Sequence, residues 1–171
     1  MTPLAPVKSL IRKLKKDPPV KNMNRDFNSE FNNVGKMMKN AENLTVPPKC
    51  FVEMQGRFLE YVEGESVKIS FPVDARFTNP AGNLLGGMIS AYFDTTFGPF
   101  SYLEAKCPTT SLDLNTTFIR SIHPDEKELI CEARIVKRTR TFIIFEGRAY
   151  TPDNKLIATA TSRMMILGGK E

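Results

Sequence analysis

The segment that most constrains the fold of this chain is a long apolar stretch near its middle with the character of a buried helix. The apolar run covers residues 84–93, and the predicted helix covers about residues 84–97, where it is followed by Gly98-Pro99, a pair that commonly ends a helix. Two strand-like segments precede it and four follow, and the short connections between the later strands force them to pair antiparallel. This order predicts an α+β fold, with an antiparallel β-sheet wrapped around a long central helix.

The strand predictions rest on alternating apolar and polar residues, which replace helical spacing after Lys49. The predicted strands are 55–62, 66–73, 109–119, 127–137, 141–151 and 156–167, and Glu63-Gly64-Glu65 is predicted to turn between the first two. In the third strand, strict alternation places Leu112, Leu114, Thr116 and Phe118 on one face and Ser111, Asp113, Asn115 and Thr117 on the other.

Groups able to do chemistry surround the predicted helix. Gly86 and Gly87 lie near its start, where unpaired backbone N–H groups and partial positive charge can hold a carbonyl oxygen or an anion. Asp94 lies at the far end of the apolar run, where a carboxylate is costly to bury without a partner or a role. With Asn79 just before the helix, this combination indicates an enzyme.

The excess positive charge of the chain lies at its N-terminus. Residues 1–25 hold seven basic residues and one acidic residue, whereas the other 146 residues hold 17 basic and 18 acidic ones. A nucleic-acid-binding domain would carry a basic surface on its folded part, so we predict no nucleic-acid partner. Residues 1–22 are interpreted as a basic arm, solvated or loosely docked. Their apolar spacing is also compatible with peripheral contact with an anionic membrane, the less favoured interpretation.

Residues 23–48 are predicted to form an N-terminal helical extension and a linker. Apolar side chains share one helical face between residues 26 and 41, and Pro47-Pro48 closes the segment. The remaining residues, 49–168, are sufficient for one domain with one hydrophobic core.

Cysteine and histidine content limits the chemistry further. The three cysteines have no paired spacing, which favours reduced thiols and a cytoplasmic location. A single histidine, His123, makes a zinc site or a Ser-His-Asp triad a poor explanation. No metal and no cofactor is therefore predicted.

The residues Asn79, Gly86-Gly87, Asp94 and Ser111-Leu-Asp-Leu-Asn115, in this order and spacing, resemble the hotdog-fold acyl-CoA thioesterases. The similar branch is the PaaI-like group, which includes thioesterase superfamily member 2. In that branch a His-Gly-Gly triplet precedes an Asp that lies seven residues beyond the second Gly. Gly87 and Asp94 have this spacing, but Leu85 replaces the His. The resemblance covers about residues 50–167.

The resemblance implies hydrolysis of an acyl-CoA to a free acid and CoA, without a cofactor. Asp94 would be the general base or the nucleophile, and the N–H of Gly86 would polarise the thioester carbonyl. Asn79 would assist at the same oxygen, and Ser111 would position the attacking water. The residues implied to bind the CoA part of the substrate are Gly87, Arg120, His123, Lys137, Arg138, Arg140 and Arg163.

Helix geometry adds that such a site requires two chains. Gly86 and Asp94 lie eight residues apart, or about 12 Å along one helix. An oxyanion donor and a base must both reach the same reacting atoms, at about 3 Å. Two copies related by a twofold axis would bring Asp94 of one chain to Gly86 of the other. We therefore predict an obligate homodimer, with further assembly into a dimer of dimers as the family suggests.

Two other interpretations remain open at this point. In the first, the protein is a non-catalytic acyl-CoA or lipid-binding hotdog protein, in which Leu85 marks lost chemistry and Met88, Tyr92 and Phe93 help to line a tunnel. In the second, the basic arm makes it a membrane- or nucleic-acid-associated protein. Acyl chain length and pathway are not encoded in any pattern of this sequence.

Overall fold

The computed structural model describes residues 47–167, which form one six-stranded sheet and one long helix. The helices are α1 (Lys49–Glu53) and α2 (Gly86–Ala105), and the strands are β1 (Arg57–Val62), β2 (Ser66–Pro72), β3 (Thr109–Phe118), β4 (Glu128–Arg138), β5 (Phe142–Tyr150) and β6 (Leu156–Ile166). All neighbours pair antiparallel, in the order β1-β2-β4-β5-β6-β3. The predicted α+β architecture is confirmed. The predicted basic arm and nearly all of the N-terminal helical extension lie outside the described residues.

The helix α2 is fixed against the inner face of the sheet by aromatic side chains. Phe93, Phe97 and Phe100 of α2 are fully buried, and the rings of Phe97 and Phe100 lie 5.5 and 5.3 Å from the ring of Phe145 on β5. Burial of each such ring contributes roughly 1.5–3 kcal/mol. At Gly147 on β5, an added Cβ would lie 2.7 Å from the Phe97 ring. The absence of a side chain there allows the helix to approach the sheet.

The helix is longer than the sequence predicted. It was expected to end at Gly98-Pro99, but it continues to Ala105 with Pro99 inside it. A proline at that point removes one backbone donor. The last two turns are held by tertiary contacts instead, because buried Glu104 accepts hydrogen bonds from the Tyr61 hydroxyl (2.9 Å) and the Gly64 N–H (3.0 Å). No helix within residues 47–167 is long and apolar enough to cross a membrane.

The strand β3 forms one edge of the sheet and does not alternate as predicted. Ser111 lies opposite Met164 of β6 and Asp113 lies opposite Arg163, so Leu112 is an extra residue in a β-bulge. The extra residue of a bulge interrupts the alternation of side chains, so residues on its two sides lie on the faces opposite to those that unbroken alternation predicts. Ser111 therefore shares the helix-facing side with Leu114, and its predicted place beside Asp113 was wrong.

Candidate active site at the central helix

The start of α2 presents two unpaired backbone donors. The preceding residues are held in place by hydrogen bonds from Leu84 N–H to Ile122 O (2.8 Å) and from Leu85 N–H to Phe77 O (2.9 Å). Leu85 occupies the N-cap and supplies no side-chain hydrogen bond. Among residues 47–167, no group accepts from the N–H of Gly86 or Gly87. The first turn can therefore donate two hydrogen bonds to a carbonyl oxygen or an anion.

The aromatic ring of Phe118 lies directly over Gly86. An added Cβ at Gly86 would be 3.0 Å from the nearest carbon of this ring, closer than ordinary contact. The ring itself is half-exposed, as is the side chain of Leu85 beside it. The free N–H groups are thus bordered by apolar side chains. The sequence pattern predicted Phe118 only as a strand residue and did not predict its contact with Gly86.

Asp94 lies two turns further along α2 and accepts a hydrogen bond from Ser111. The Ser111 hydroxyl lies 3.0 Å from Oδ1 of Asp94, because the bulge in β3 turns Ser111 toward the helix. Asp94 is exposed in the single chain, so the sequence-based idea of a buried carboxylate does not hold for one chain alone. Its face of the helix also carries Gly87, Ala91 and Gly98, which are small residues.

Asn79 organises the loop that leads into the helix. Its side-chain oxygen accepts hydrogen bonds from the N–H groups of Ala81 (3.0 Å) and Asn83 (3.2 Å). Its backbone N–H donates to Asn83 O (2.7 Å), and Gly82 makes the turn with φ of +79°. A substrate carbonyl oxygen can only accept hydrogen bonds, so any contact with the Asn79 side chain would come from Nδ2, which donates.

The fold of residues 47–167 is similar to that of known thioesterase structures. Residues 81–158 match the family model of the Thioesterase superfamily. The E. coli PaaI protein from the phenylacetic acid degradation operon superposes with a TM-score of 0.68 at 14% identity, over 84% of this chain and 98% of that one. The fold is the hotdog fold. The family match supports the resemblance to thioesterases drawn from the sequence, and the PaaI protein shares the predicted hotdog fold.

Two further solved structures are similar to this fold over most of their length. A thioesterase from Haemophilus influenzae has a TM-score of 0.64 and 19% identity, over 73% of this chain and 87% of that one. A mutant thioesterase from Pseudomonas aeruginosa also gives 0.64, at 22% identity, over 85% and 96%. No curated protein sequence matches the chain significantly.

The basic residues predicted to contact CoA fall into two groups in the hotdog fold. Lys137, Arg138 and Arg140 lie at the β4–β5 turn, all exposed and without an ion pair among residues 47–167. Arg120 and His123 follow β3, on the same side as the Asn79 loop. A Cβ added at Gly82 of that loop would lie 3.6 Å from the His123 ring. His123 also contacts the Asp125 carboxylate at 3.1 Å.

Arg163 differs from the other cations because it is already paired. Its Nε and a terminal guanidinium nitrogen both lie 2.5 Å from Oδ2 of Asp113, across from it on β3. Its guanidinium is thus bound to a carboxylate of its own chain. The sequence pattern identified Arg163 as a cation for CoA but contained no signal of this pairing, which depends on the strand register.

Other reactive or tunnel-forming candidates are buried in the hotdog core. Complete burial raises the pKa of the Cys131 thiol, which keeps it protonated and unsuited to act as a nucleophile. Burial also raises the pKa of Tyr92 to about 12, and its hydroxyl donates to Pro72 O (3.1 Å). Tyr92 and Phe93 therefore fill the core, and the suggestion that they line a tunnel is not supported. Within residues 47–167, no three potential ligand side chains cluster to bind a metal.

Proposed function

We propose that the protein is an acyl-CoA thioesterase, which hydrolyses the thioester bond of an acyl-CoA to a free acid and CoA. The observation that carries the proposal is the hydrogen bond from Ser111 of β3 to Asp94 on the exposed face of α2. At the start of the same helix, the N–H groups of Gly86 and Gly87 have no acceptor among residues 47–167. The match of residues 81–158 to the Thioesterase superfamily supports the same reaction class. The three free cysteines are in keeping with a reducing, cytoplasmic environment.

The proposed chemistry uses protein groups at the two ends of this helix face and one water molecule. The Gly86 N–H, with help from Asn79 Nδ2, stabilises the negative charge that develops on the thioester carbonyl oxygen. Asp94 either takes a proton from a water molecule held by Ser111 or attacks the carbonyl carbon directly. In the first route, the water oxygen adds to the carbonyl carbon, the C–S bond breaks, and the proton held by Asp94 passes to the CoA thiolate. In the second route, the C–S bond breaks to leave an anhydride between the acyl group and Asp94, and a water molecule then hydrolyses it, which releases the acid, restores Asp94 and supplies a proton to the CoA thiolate.

The site is proposed to form between two chains. The helix is continuous from Gly86 through Asp94, so the separation of about 12 Å cannot close within one chain. The small residues around Asp94 would let a second helix approach closely, and β3 is an edge strand of the sheet formed by residues 47–167, so its outer side could pair with another copy. Asp94 and Ser111 of one chain would then meet Gly86 of its partner. A dimer of dimers remains a prediction.

The CoA part of the substrate would be held by the free cations. Lys137, Arg138 and Arg140 project from one turn, where their charges can pair with phosphate groups without first breaking an ion pair in the described chain. Arg120 and His123, with the Gly87 N–H, would contribute near the helix start.

A non-catalytic acyl-CoA-binding hotdog protein is the second candidate, and one observation favours it. Leu85 offers no hydrogen-bonding side chain at the position where the resemblance expects His. The two candidates predict the same binding and differ in turnover.

The experiment is to measure thiol release from short, long and aromatic acyl-CoAs. We expect turnover that falls at least about 100-fold in Asp94→Asn, because the base or nucleophile is lost. The matched control is Glu146→Gln, which neutralises an exposed carboxylate on the other face of the sheet and should leave turnover unchanged. Binding of acyl-CoA without turnover in the wild type would favour the non-catalytic candidate. Full activity in Asp94→Asn would reject the mechanism.

A complementation experiment tests the shared site. Asp94→Asn and Gly86→Val should each be inactive alone. In a co-expressed equal mixture, half of the dimers are mixed and each contains one intact site, so about a quarter of wild-type turnover should return. A site contained within one chain would recover nothing.

A further inference from the structure

We propose that the Asp113–Arg163 pair is a positioning device that holds the β3 bulge and thereby keeps Ser111 on Asp94. This inference rests on the proposed function for its catalytic consequence. It reassigns Arg163, which was predicted to contact CoA, to a role within the protein.

The bulge separates two neighbours with opposite orientations. Ser111 faces the helix and bonds Asp94, whereas Asp113, two residues later, faces the outer side and bonds Arg163. In a regular strand, residues two apart share one face. Removal of the extra residue Leu112 from the bulge would therefore turn Ser111 away from Asp94.

Side-chain hydrogen bonds join β3 to β6 next to the bulge. The Asp113 carboxylate accepts the backbone N–H of Arg163 through Oδ1 (3.1 Å) and the guanidinium through Oδ2. The Asp113 carbonyl accepts the hydroxyl of buried Ser162 (2.8 Å). Both the backbone and the side chain of Asp113 are thus fixed to β6 immediately after the extra residue. A one-residue slip of β3 would break all of these bonds together.

The charge and exposure of the pair favour this role over phosphate binding. The Arg163 side chain is 61% exposed but the Asp113 side chain only 26%, and two guanidinium nitrogens of Arg163 contact Oδ2 of this carboxylate in a charge-assisted hydrogen bond and ion pair. A CoA phosphate at Arg163 would have to displace that carboxylate or approach it closely, and two anions repel. Lys137, Arg138 and Arg140 carry no such cost.

The test compares Arg163→Met and Asp113→Ala with Arg148→Met, which removes an exposed arginine from the outer sheet face away from the bulge. Two substrates are used, an acyl-CoA and the matching acyl-pantetheine, which lacks the phosphates of the nucleotide. We expect Arg163→Met and Asp113→Ala to lower kcat about 10- to 100-fold with nearly unchanged KM, equally for both substrates. Arg148→Met should behave as the wild type.

Two further variants separate positioning from a general loss of structure. Asp113→Asn retains an oxygen that can accept from the Arg163 N–H, so it should recover part of the kcat lost in Asp113→Ala. The double variant Asp113→Ala/Arg163→Met should lose no more than the worse single variant, because the two residues act as one unit. Circular dichroism and thermal melting check that each variant is folded.

Several results would overturn the proposal. If Arg163→Met raises KM for acyl-CoA alone and leaves acyl-pantetheine unaffected, then Arg163 binds phosphate. Normal turnover in both single variants, while Asp94→Asn is inactive, would refute the positioning role and leave the proposed function intact. If the wild type has no turnover, amide hydrogen exchange of residues 111–114 tests the structural part of the proposal. Faster exchange in Asp113→Ala than in the wild type would support the role of Asp113 in stabilising the bulge. Unchanged exchange would refute it.

Discussion

At Gly86, the missing side chain serves both the helix start and the packing of Phe118. The N–H of this residue has no acceptor within the described part of the chain, and the ring of Phe118 lies 3.0 Å from the point that a Cβ would occupy. The neighbouring Gly87 has no such close contact, since the nearest atom to its added Cβ is 3.9 Å away. Two adjacent glycines therefore differ in how strictly the structure requires them.

The first prediction concerns Gly86→Ala. The added methyl group should push the half-exposed Phe118 ring aside and disturb the oxyanion site, lowering turnover about 10-fold with little loss of stability. Steady-state kinetics and a thermal melt measure the two effects. Gly86→Ala/Phe118→Leu should recover part of the turnover, because the smaller side chain leaves room for the methyl group. A double variant no better than the single one would show that the ring is not the cause.

At the scale of elements, the contact between α2 and β5 depends on Gly147. Its position on the inner face of β5 is buried, and the rings of Phe93 and Phe97 fill the space where a side chain would go. Unlike Phe118, these rings are fully buried and have no solvent to move into. A small substitution here should therefore cost stability.

The second prediction is that Gly147→Ala lowers the free energy of unfolding by about 1–3 kcal/mol, as overpacking typically does. Urea unfolding followed by circular dichroism measures the change. Gly147→Ala should lower the free energy of unfolding less in a Phe97→Leu protein than in the wild type, because the smaller leucine side chain leaves room for the added methyl group. An additive loss in the double variant would argue against the contact as the cause.

At the scale of the whole molecule, the exposed face of α2 is built for contact in the proposed dimer. Gly98 lies on this face, and an added Cβ there has no neighbour within 4 Å. A large side chain at this position is therefore compatible with the single chain, and arginine is a better helix former than glycine. The same side chain would collide with a second helix packed on the face.

The third prediction is that Gly98→Arg keeps the fold but prevents dimerisation. The variant should then have the mass of a single chain and no turnover. Light scattering, circular dichroism and the thiol-release assay measure the three properties. The control Glu53→Arg places arginine at an exposed site on α1 and should leave the dimer intact. A Gly98→Arg protein that stays dimeric and active would place the proposed interface elsewhere.

The order of the elements and the start of the candidate site could be predicted from the amino-acid sequence. Burial imposes a period of two on strands and of 3.6 on helices, and these local patterns located all six strands and the helix. Helix geometry likewise fixed the free N–H groups of Gly86 and Gly87 and their separation from Asp94. Such features depend on neighbours only a few residues away, so a single sequence contains them.

The features that depend on residues far away in the sequence became apparent only in the folded structure. The helix continues through Pro99 because Glu104 bonds Tyr61 and Gly64, some forty residues earlier. Ser111 reaches Asp94 because a bulge changes its orientation, and Arg163 is paired because that bulge sets Asp113 opposite it, fifty residues away. Strand register and long-range pairing leave no periodic trace in the sequence, because they are set by which surfaces meet after the chain has folded.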